Sequence, residues 1–158
     1  MIISIATVED IDTIKTICDV QLGQDYISRH RIVTANISIV AIDEREYPTK
    51  IIGWSAADVI NEKLGQLSHC VVRPGYEGRG VATRLVQERL RILAFRDIKN
   101  CVSYCWQHPD GKIPMEGILK KFEFSPVKVM KNAFKCRTCT ICGKNCACDC
   151  VVFLKKGF

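Results

Sequence analysis

Val72-Arg73-Pro74-Gly75-Tyr76-Glu77-Gly78-Arg79-Gly80-Val81-Ala82 joins two segments of different hydrophobic period through a turn with three glycines. On its N-terminal side, residues 67–72 form an apolar run that reads as a strand, closed by Arg73-Pro74-Gly75. On its C-terminal side the period changes. Ala82, Leu85, Val86, Leu90, Leu93 and Ala94 fall on one helical stripe, and Arg84, Glu88, Arg91 and Arg96 fall elsewhere. A strand therefore runs into a glycine-rich turn, and the turn opens a helix. Glycines allow close approach of the backbone to an anion. The first free N–H groups of the helix add donors and the positive end of its dipole. That combination suits a pyrophosphate. It is not a dinucleotide fingerprint, because Thr83 stands where Gly-x-Gly-x-x-Gly needs its third glycine, and the chain holds no Gly-Lys-Ser/Thr phosphate loop.

Outward from the turn, the chain alternates between the two periods. Residues 2–5, 37–42, 51–60, 101–106, 127–134 and 151–154 read as further strands, with Pro48 in the polar connection 43–50. Thr7 offers a helix N-cap, followed by Glu9 and Asp10 and then Val8, Ile11, Ile14 and Cys18 at helical spacing. Residues 21–36 suit either a second helix or a loop. His108-Pro109-Asp110-Gly111 breaks the chain before a short amphipathic helix carrying Met115, Ile118, Leu119 and Phe122, with Pro114 near its start. The order predicts a mixed α/β (α+β) fold in one domain over residues 1–158, ending in a hairpin.

The bulk properties agree. The 158 residues are 47% hydrophobic and 25% charged, which excludes disorder and repetitive polymers. No apolar run reaches the ~18–20 residues of a membrane span. The start Met1-Ile2-Ile3-Ser4-Ile5 has no basic flank and no small-residue cleavage site, so a cytoplasmic protein is expected. The net charge of +6 is uneven: from Lys112 onward ten Lys/Arg face three acids. No recognised nucleic-acid motif accompanies that basic third, which reads as a solvated face.

Six of the ten cysteines crowd into residues 136–150. In a reducing compartment such crowding points to a metal rather than to disulfides. Cys139-x-x-Cys142-Gly143 makes a knuckle whose glycine permits the tight turn, and Cys146-x-Cys148 can return two more thiolates to a tetrahedral zinc site. Cys136 and Cys150 are then neighbours rather than ligands. The other frame, Cys136, Cys139, Cys142 and Cys146, has iron–sulfur spacing, although Ala147 replaces the proline that usually follows.

At the glycine turn the chain resembles the GNAT superfamily of N-acetyltransferases. Val72-Arg73-Pro74 matches the family's Val-x-Pro, and Gly80-Val81-Ala82 matches the Gly-x-Gly/Ala of its acetyl-CoA motif; Glu77 stands where Gln or Arg is usual. Glu123-Phe124 is similar to the family's Gly-Phe, and Cys-x-x-Cys-Gly-x-x-Cys-x-Cys before the last strand resembles a subgroup with a metal-binding hairpin, here at about residues 135–150. The resemblance implies a mostly antiparallel sheet splayed between its fourth and fifth strands, flanked by helices, with acetyl-CoA in the cleft. It implies that the backbone of Cys70, Val71 and Val72 holds the pantetheine arm and thioester. The N–H groups of Gly78, Arg79, Gly80, Val81, Ala82 and Thr83 would hold the pyrophosphate, and Arg79 or Arg84 would meet other phosphates.

The family's usual acid–base positions carry Gln66 in place of glutamate and Leu119 in place of tyrosine. The remaining candidates for proton transfer are His69 and His108, whose side-chain type titrates in the useful range. Two function classes follow. One is an acetyl-CoA-dependent N-acetyltransferase acting on a small-molecule or peptide amine, as a monomer or homodimer, with structural zinc. The other is a GNAT fold that has lost catalysis and binds a partner through the cysteine hairpin and basic tail.

Overall fold

Strands β1 (Ile2–Ile5), β2 (Ile37–Asp43), β3 (Lys50–Asn61), β4 (Leu64–Val72), β5 (Asn100–Gln107), β6 (Ser125–Met130) and β7 (Asp149–Lys156) pair in the order β1-β2-β3-β4-β5-β7-β6. This structure, a computed structural model, describes residues 1–45, 48–135 and 138–158. Each neighbouring pair is antiparallel except β4 with β5. That parallel pair is in register only from Leu64↔Asn100 to Leu67↔Ser103. Beyond it, β4 stays with β3 through Val72, and β5 stays with β7 through Gln107. The two strands therefore part, and the sheet opens into a V at its centre. Ser68 marks the parting point: Ala56 pairs with His69 but Ala57 with Leu67, leaving Ser68 as a bulge that bends β4.

Helices cover both faces. The face alternation of the strands sends Ile39, Ala41, Ile52, Ala57 and Leu67 to one side, where they pack with α3 (Val81–Phe95) and α4 (Glu116–Lys121). Val40, Trp54, Ala56 and Val71 face the other side, against α1 (Ile11–Leu22) and α2 (Arg29–Thr34). Gly53 lets α3 seat closely: a Cβ there would lie 2.9 Å from Val81 Cγ1 and 3.0 Å from the Val71 carbonyl oxygen. No helix among the described residues is long and apolar enough to cross a membrane.

Some boundaries differ from the sequence expectation. The first helical turn after Thr7 is 3-10 over Val8–Asp10, with the Thr7 N–H donating to Asp10 Oδ2 at 2.8 Å, before α1 begins at Ile11. The undecided segment 21–36 contains α2, capped by Ser28 Oγ accepting from the Arg31 N–H. The strand expected over 127–134 is displaced to Ser125–Met130. Asp149 at the start of β7 accepts from Lys131 Nζ and from the Asn132 N–H, which turns residues 131–135 out of the ladder. On α3 the expected stripe is shifted. Ala94 is exposed, while Val81 and Arg89 are buried with Leu85, Val86, Leu90 and Leu93.

Candidate active site

The V between β4 and β5 holds a cavity of about 550 Å³. Gln66–Val72 form one wall, and Ser103, Tyr104, Cys105 and Trp106 form the other. Gln21, Leu22 and Tyr26 from the end of α1 and the following loop close one side; Phe134, Thr140 and Ile141 of the β6–β7 connection close another. The cleft expected between the fourth and fifth strands is there, with Cys70, Val71 and Val72 lining it. The carbonyl of Val72 accepts from Gln21 Nε2 at 2.8 Å, which ties α1 to the end of β4.

The glycine turn follows directly. Gly78 and Gly80 have φ of +70° and +79°, and Gly80 caps α3 in the left-handed region. A Cβ at either position would meet nothing within 4 Å, so both positions face open space, as close approach of a diphosphate to the backbone requires. Glu77, the departure from the usual Gln or Arg, serves the turn itself. Its carboxylate accepts the Gly75 N–H at 2.6 Å and Gln21 Nε2 at 3.1 Å. Bonds from its own N–H and from that of Gly75 hold it below the usual carboxylate range. Arg79 lies over the Tyr76 ring at 4.9 Å, and Arg84 is exposed in the first turn of α3.

Both candidate histidines line the cavity, one from each wall. His69 is half-buried on β4 and stacks on Trp54, with centroids 6.0 Å apart and planes at 19°. His108 follows β5, its N–H donating to the Lys112 carbonyl at 2.8 Å. Gln66 also lines the cavity and offers no base; Leu119 is fully buried in the core and is not a lining residue.

The sulfur atoms of Cys139, Cys142, Cys146 and Cys148 all lie within 4.8 Å of one another, a set that could hold one ion. The knuckle is built by local bonds. Cys139 and Gly143 exchange two backbone hydrogen bonds at 3.1 and 2.9 Å, Gly143 has φ +71°, and the Cys142 N–H donates to Cys139 Sγ at 3.2 Å. The Cys148 N–H likewise donates to Cys146 Sγ at 3.4 Å. Such N–H···S bonds favour thiolates, the form that binds metal. Burial and the neighbouring Cys146 push the Cys148 thiol up, whereas hydrogen bonds, the Cys142 N–H among them, outweigh burial at Cys139 and hold its thiol down. Cys150 sits in the β7 ladder and packs with Val102 and Val152, away from the cluster. Cys136, which the iron–sulfur frame requires, lies outside the described residues.

The sequence did not single out how the cluster joins the cavity. Trp106 packs against the thiols and meets Phe134 edge-on at 5.7 Å and Tyr26 edge-on at 5.0 Å. Thr140 Oγ1 donates to the Gln21 carbonyl at 3.4 Å. The cysteine hairpin is therefore one wall of the cavity, braced on β5 and on the end of α1. Aromatics spaced this far apart in sequence carry no local signal that they meet.

The profile of the Acetyltransferase (GNAT) family matches residues 9–124. No curated protein sequence matches the chain. Among solved structures, an aminoglycoside 6'-N-acetyltransferase complexed with coenzyme A superposes with a TM-score of 0.77 at 16% identity, covering 99% of this chain and 97% of that one. The ribosomal-protein-S18-alanine N-acetyltransferase from Escherichia coli gives 0.76 at 12% identity over 98% and 92%. A GNAT family acetyltransferase from Elizabethkingia anophelis with acetyl-CoA bound gives 0.73 at 15% identity over 98% and 97%. At these identities the likeness is one of fold.

Proposed function

The chain belongs to the GNAT acetyltransferase family, and from that premise we propose that it is an acetyl-CoA-dependent N-acetyltransferase acting on a primary amine. The observation that carries this reading is the junction of the β4–β5 cavity with the open glycine turn. One end of the site is shaped for a diphosphate and the other for a thioester and its acceptor. The backbone of Cys70, Val71 and Val72 holds the pantetheine arm and the thioester carbonyl, and the N–H groups of Gly78 to Thr83 take the pyrophosphate. The CoA-bound and acetyl-CoA-bound neighbours of the same fold support that placement.

The reaction needs a neutral amine poised at the thioester carbonyl and a route for its surplus proton. His69 fills the second role best, because it projects from β4 beside the residues that hold the thioester; His108 on the opposite wall is the other candidate. Holding both partners in a closed cleft supplies the rest, since orientation alone removes a large part of the barrier. The acceptor enters on the side bounded by Tyr26, Trp106, Phe134 and Ile141.

Cys139, Cys142, Cys146 and Cys148 hold one zinc ion in this reading. Four thiolates saturate a tetrahedral ion and leave no position for water, so the metal would supply a cross-link rather than chemistry. It fixes Phe134, Thr140 and Ile141 against the cavity.

A thermal-shift titration with acetyl-CoA followed by an amine panel, read as CoA release, tests the proposal. Stabilisation by acetyl-CoA with amine-dependent CoA release is expected. Stabilisation without release for every amine would leave a binding module, and absence of stabilisation would remove the cofactor reading.

A further inference from the structure

Arg89 is 1% exposed on the face of α3 that otherwise buries Val81, Leu85, Val86, Leu90 and Leu93. A guanidinium keeps its charge in proteins, and burying it without a counter-charge is strongly unfavourable. Its Nε donates to the Leu85 carbonyl at 3.3 Å, and Nη1 donates to the carbonyls of Ala56 at 2.9 Å and His69 at 3.0 Å. Those bonds use three of five N–H donors. The two on Nη2 meet no acceptor among the described residues, and no carboxylate there pairs with Arg89. The ionisable groups around it are Cys70 on β4 and Cys101 and Cys105 on β5. Burial pushes all three thiols up, Cys101 to about 12 and Cys105 to about 11, so none supplies a negative charge.

This unpaired cation lines the cavity where β4 and β5 part, next to the Ser68 bulge and on the carbonyl of His69. The other ionisable side chains lining the cavity are His69, His108, Cys70, Cys105, Tyr26, Tyr104 and Glu77, and Glu77 is committed to the glycine turn. A permanent charge held here against its desolvation cost calls for an anion that arrives or forms in the cavity. Under the acetyltransferase reading, on which this inference rests, the phosphates bind outside at the glycine turn and the β4 backbone takes the charge on the thioester carbonyl, which leaves the charge of the departing sulfur without a partner.

We propose that Arg89 stabilises the CoA thiolate as it leaves, in place of a proton donor. The amine lone pair forms the C–N bond, the C–S bond breaks with its electron pair passing to sulfur, and the surplus amine proton goes to His69 or water. The sulfur departs as a thiolate beside the guanidinium and takes its proton from solvent after release. Leu119, buried and apolar, offers no proton at this step. Preorganised charge aimed at a developing anion in a dry site is an effective way to lower such a barrier.

The test titrates the thiol of CoA bound to the intact, metal-containing protein by thiolate absorbance, with the desulfo-CoA complex as the blank for the protein's own cysteines. Bound CoA is expected to ionise roughly 1–3 units below free CoA. Arg89→Met should return it to the free value or above while leaving desulfo-CoA affinity within a few-fold; Arg89→Lys should keep most of the shift. An equal thiol titration in wild type and Arg89→Met would overturn the proposal, as would equal losses of CoA and desulfo-CoA affinity, which mark a purely structural role. Should Arg89→Met fail to fold, Arg89→Gln replaces it, with the same two outcomes deciding. Absence of CoA binding by wild type would sink the acetyltransferase reading itself, whereas binding with an unshifted thiol overturns only the role of Arg89.

Discussion

Replacing Gly80 with alanine separates the strain of the turn from its use as a phosphate cradle. The added Cβ meets nothing within 4 Å, so packing is untouched in the free protein. The φ of +79° is nevertheless unfavourable for a residue with a Cβ, by about 1–2 kcal/mol. For a domain of this size that lowers Tm by roughly 2–8 °C. In the proposed cradle the added Cβ would also crowd a diphosphate drawn close to the backbone. Acetyl-CoA at a hundred times its Kd stabilises wild type by about 2.7 kcal/mol, and a hundredfold loss of affinity leaves only about 0.4 kcal/mol at the same concentration. Differential scanning fluorimetry with and without acetyl-CoA reads both effects. Gly75→Ala is the control, because Gly75 has φ +85° and equally open surroundings but precedes the helix N-terminus. It should lose similar stability and keep the acetyl-CoA shift. A full shift in Gly80→Ala, or equal loss in both variants, would refute the cradle.

Four further outcomes are expected. Protein purified without oxygen should carry one zinc ion by elemental analysis, and Cys142→Ser should lose it; stoichiometric iron with acid-labile sulfide would contradict the assignment. Chelation should raise hydrogen exchange around Phe134 and Ile141 while the acetyl-CoA shift persists, because the glycine turn is built from another part of the chain. His69→Ala should lose turnover by about 10²-fold or more with the acetyl-CoA shift retained, and His108→Ala should not; turnover near wild type in both would assign proton removal to water. Burial opposes ionisation of Asp58, but bonds from Arg31 and Ser68 outweigh it and hold the carboxyl below the usual range. A depressed folded pKa means the stabilisation is complete above the unfolded value of about 3.9 and is lost as pH falls through the folded one. Asp58→Asn should cost about 1–3 kcal/mol at neutral pH and flatten the acid limb of the stability curve. An acid limb unchanged by the substitution would exclude that network.

The parts of the site that were legible in the sequence are the parts made by short-range geometry. The glycine turn is encoded between Arg73 and Ala82, and the thiol set is encoded between Cys139 and Cys148, so spacing alone brings those groups together. The V between β4 and β5 came only from family resemblance, because no local pattern says that pairing stops at Leu67 and Ser103. Arg89 escaped the helical-stripe reading because its charge marks it as solvent-facing. It is buried where the Ser68 bulge between β3 and β4, next to the parting of β4 from β5, leaves carbonyls of Ala56 and His69 for it to satisfy. The Tyr26–Trp106–Phe134 contact depends on the hairpin folding back over β5, which a linear pattern does not carry. The end of β6 moved for a comparable reason, since Asp149 lies on a different strand from the residues it turns.

Acetyl transfer to an amine is read without an intermediate step by mass spectrometry of an amine panel incubated with acetyl-CoA and the protein as purified. At least one primary amine should gain a single acetyl group with stoichiometric release of CoA, and Gly80→Ala should slow the gain. Acetyl-CoA that binds yet is never consumed with any amine, or is hydrolysed at one rate whatever amine is present, would contradict it.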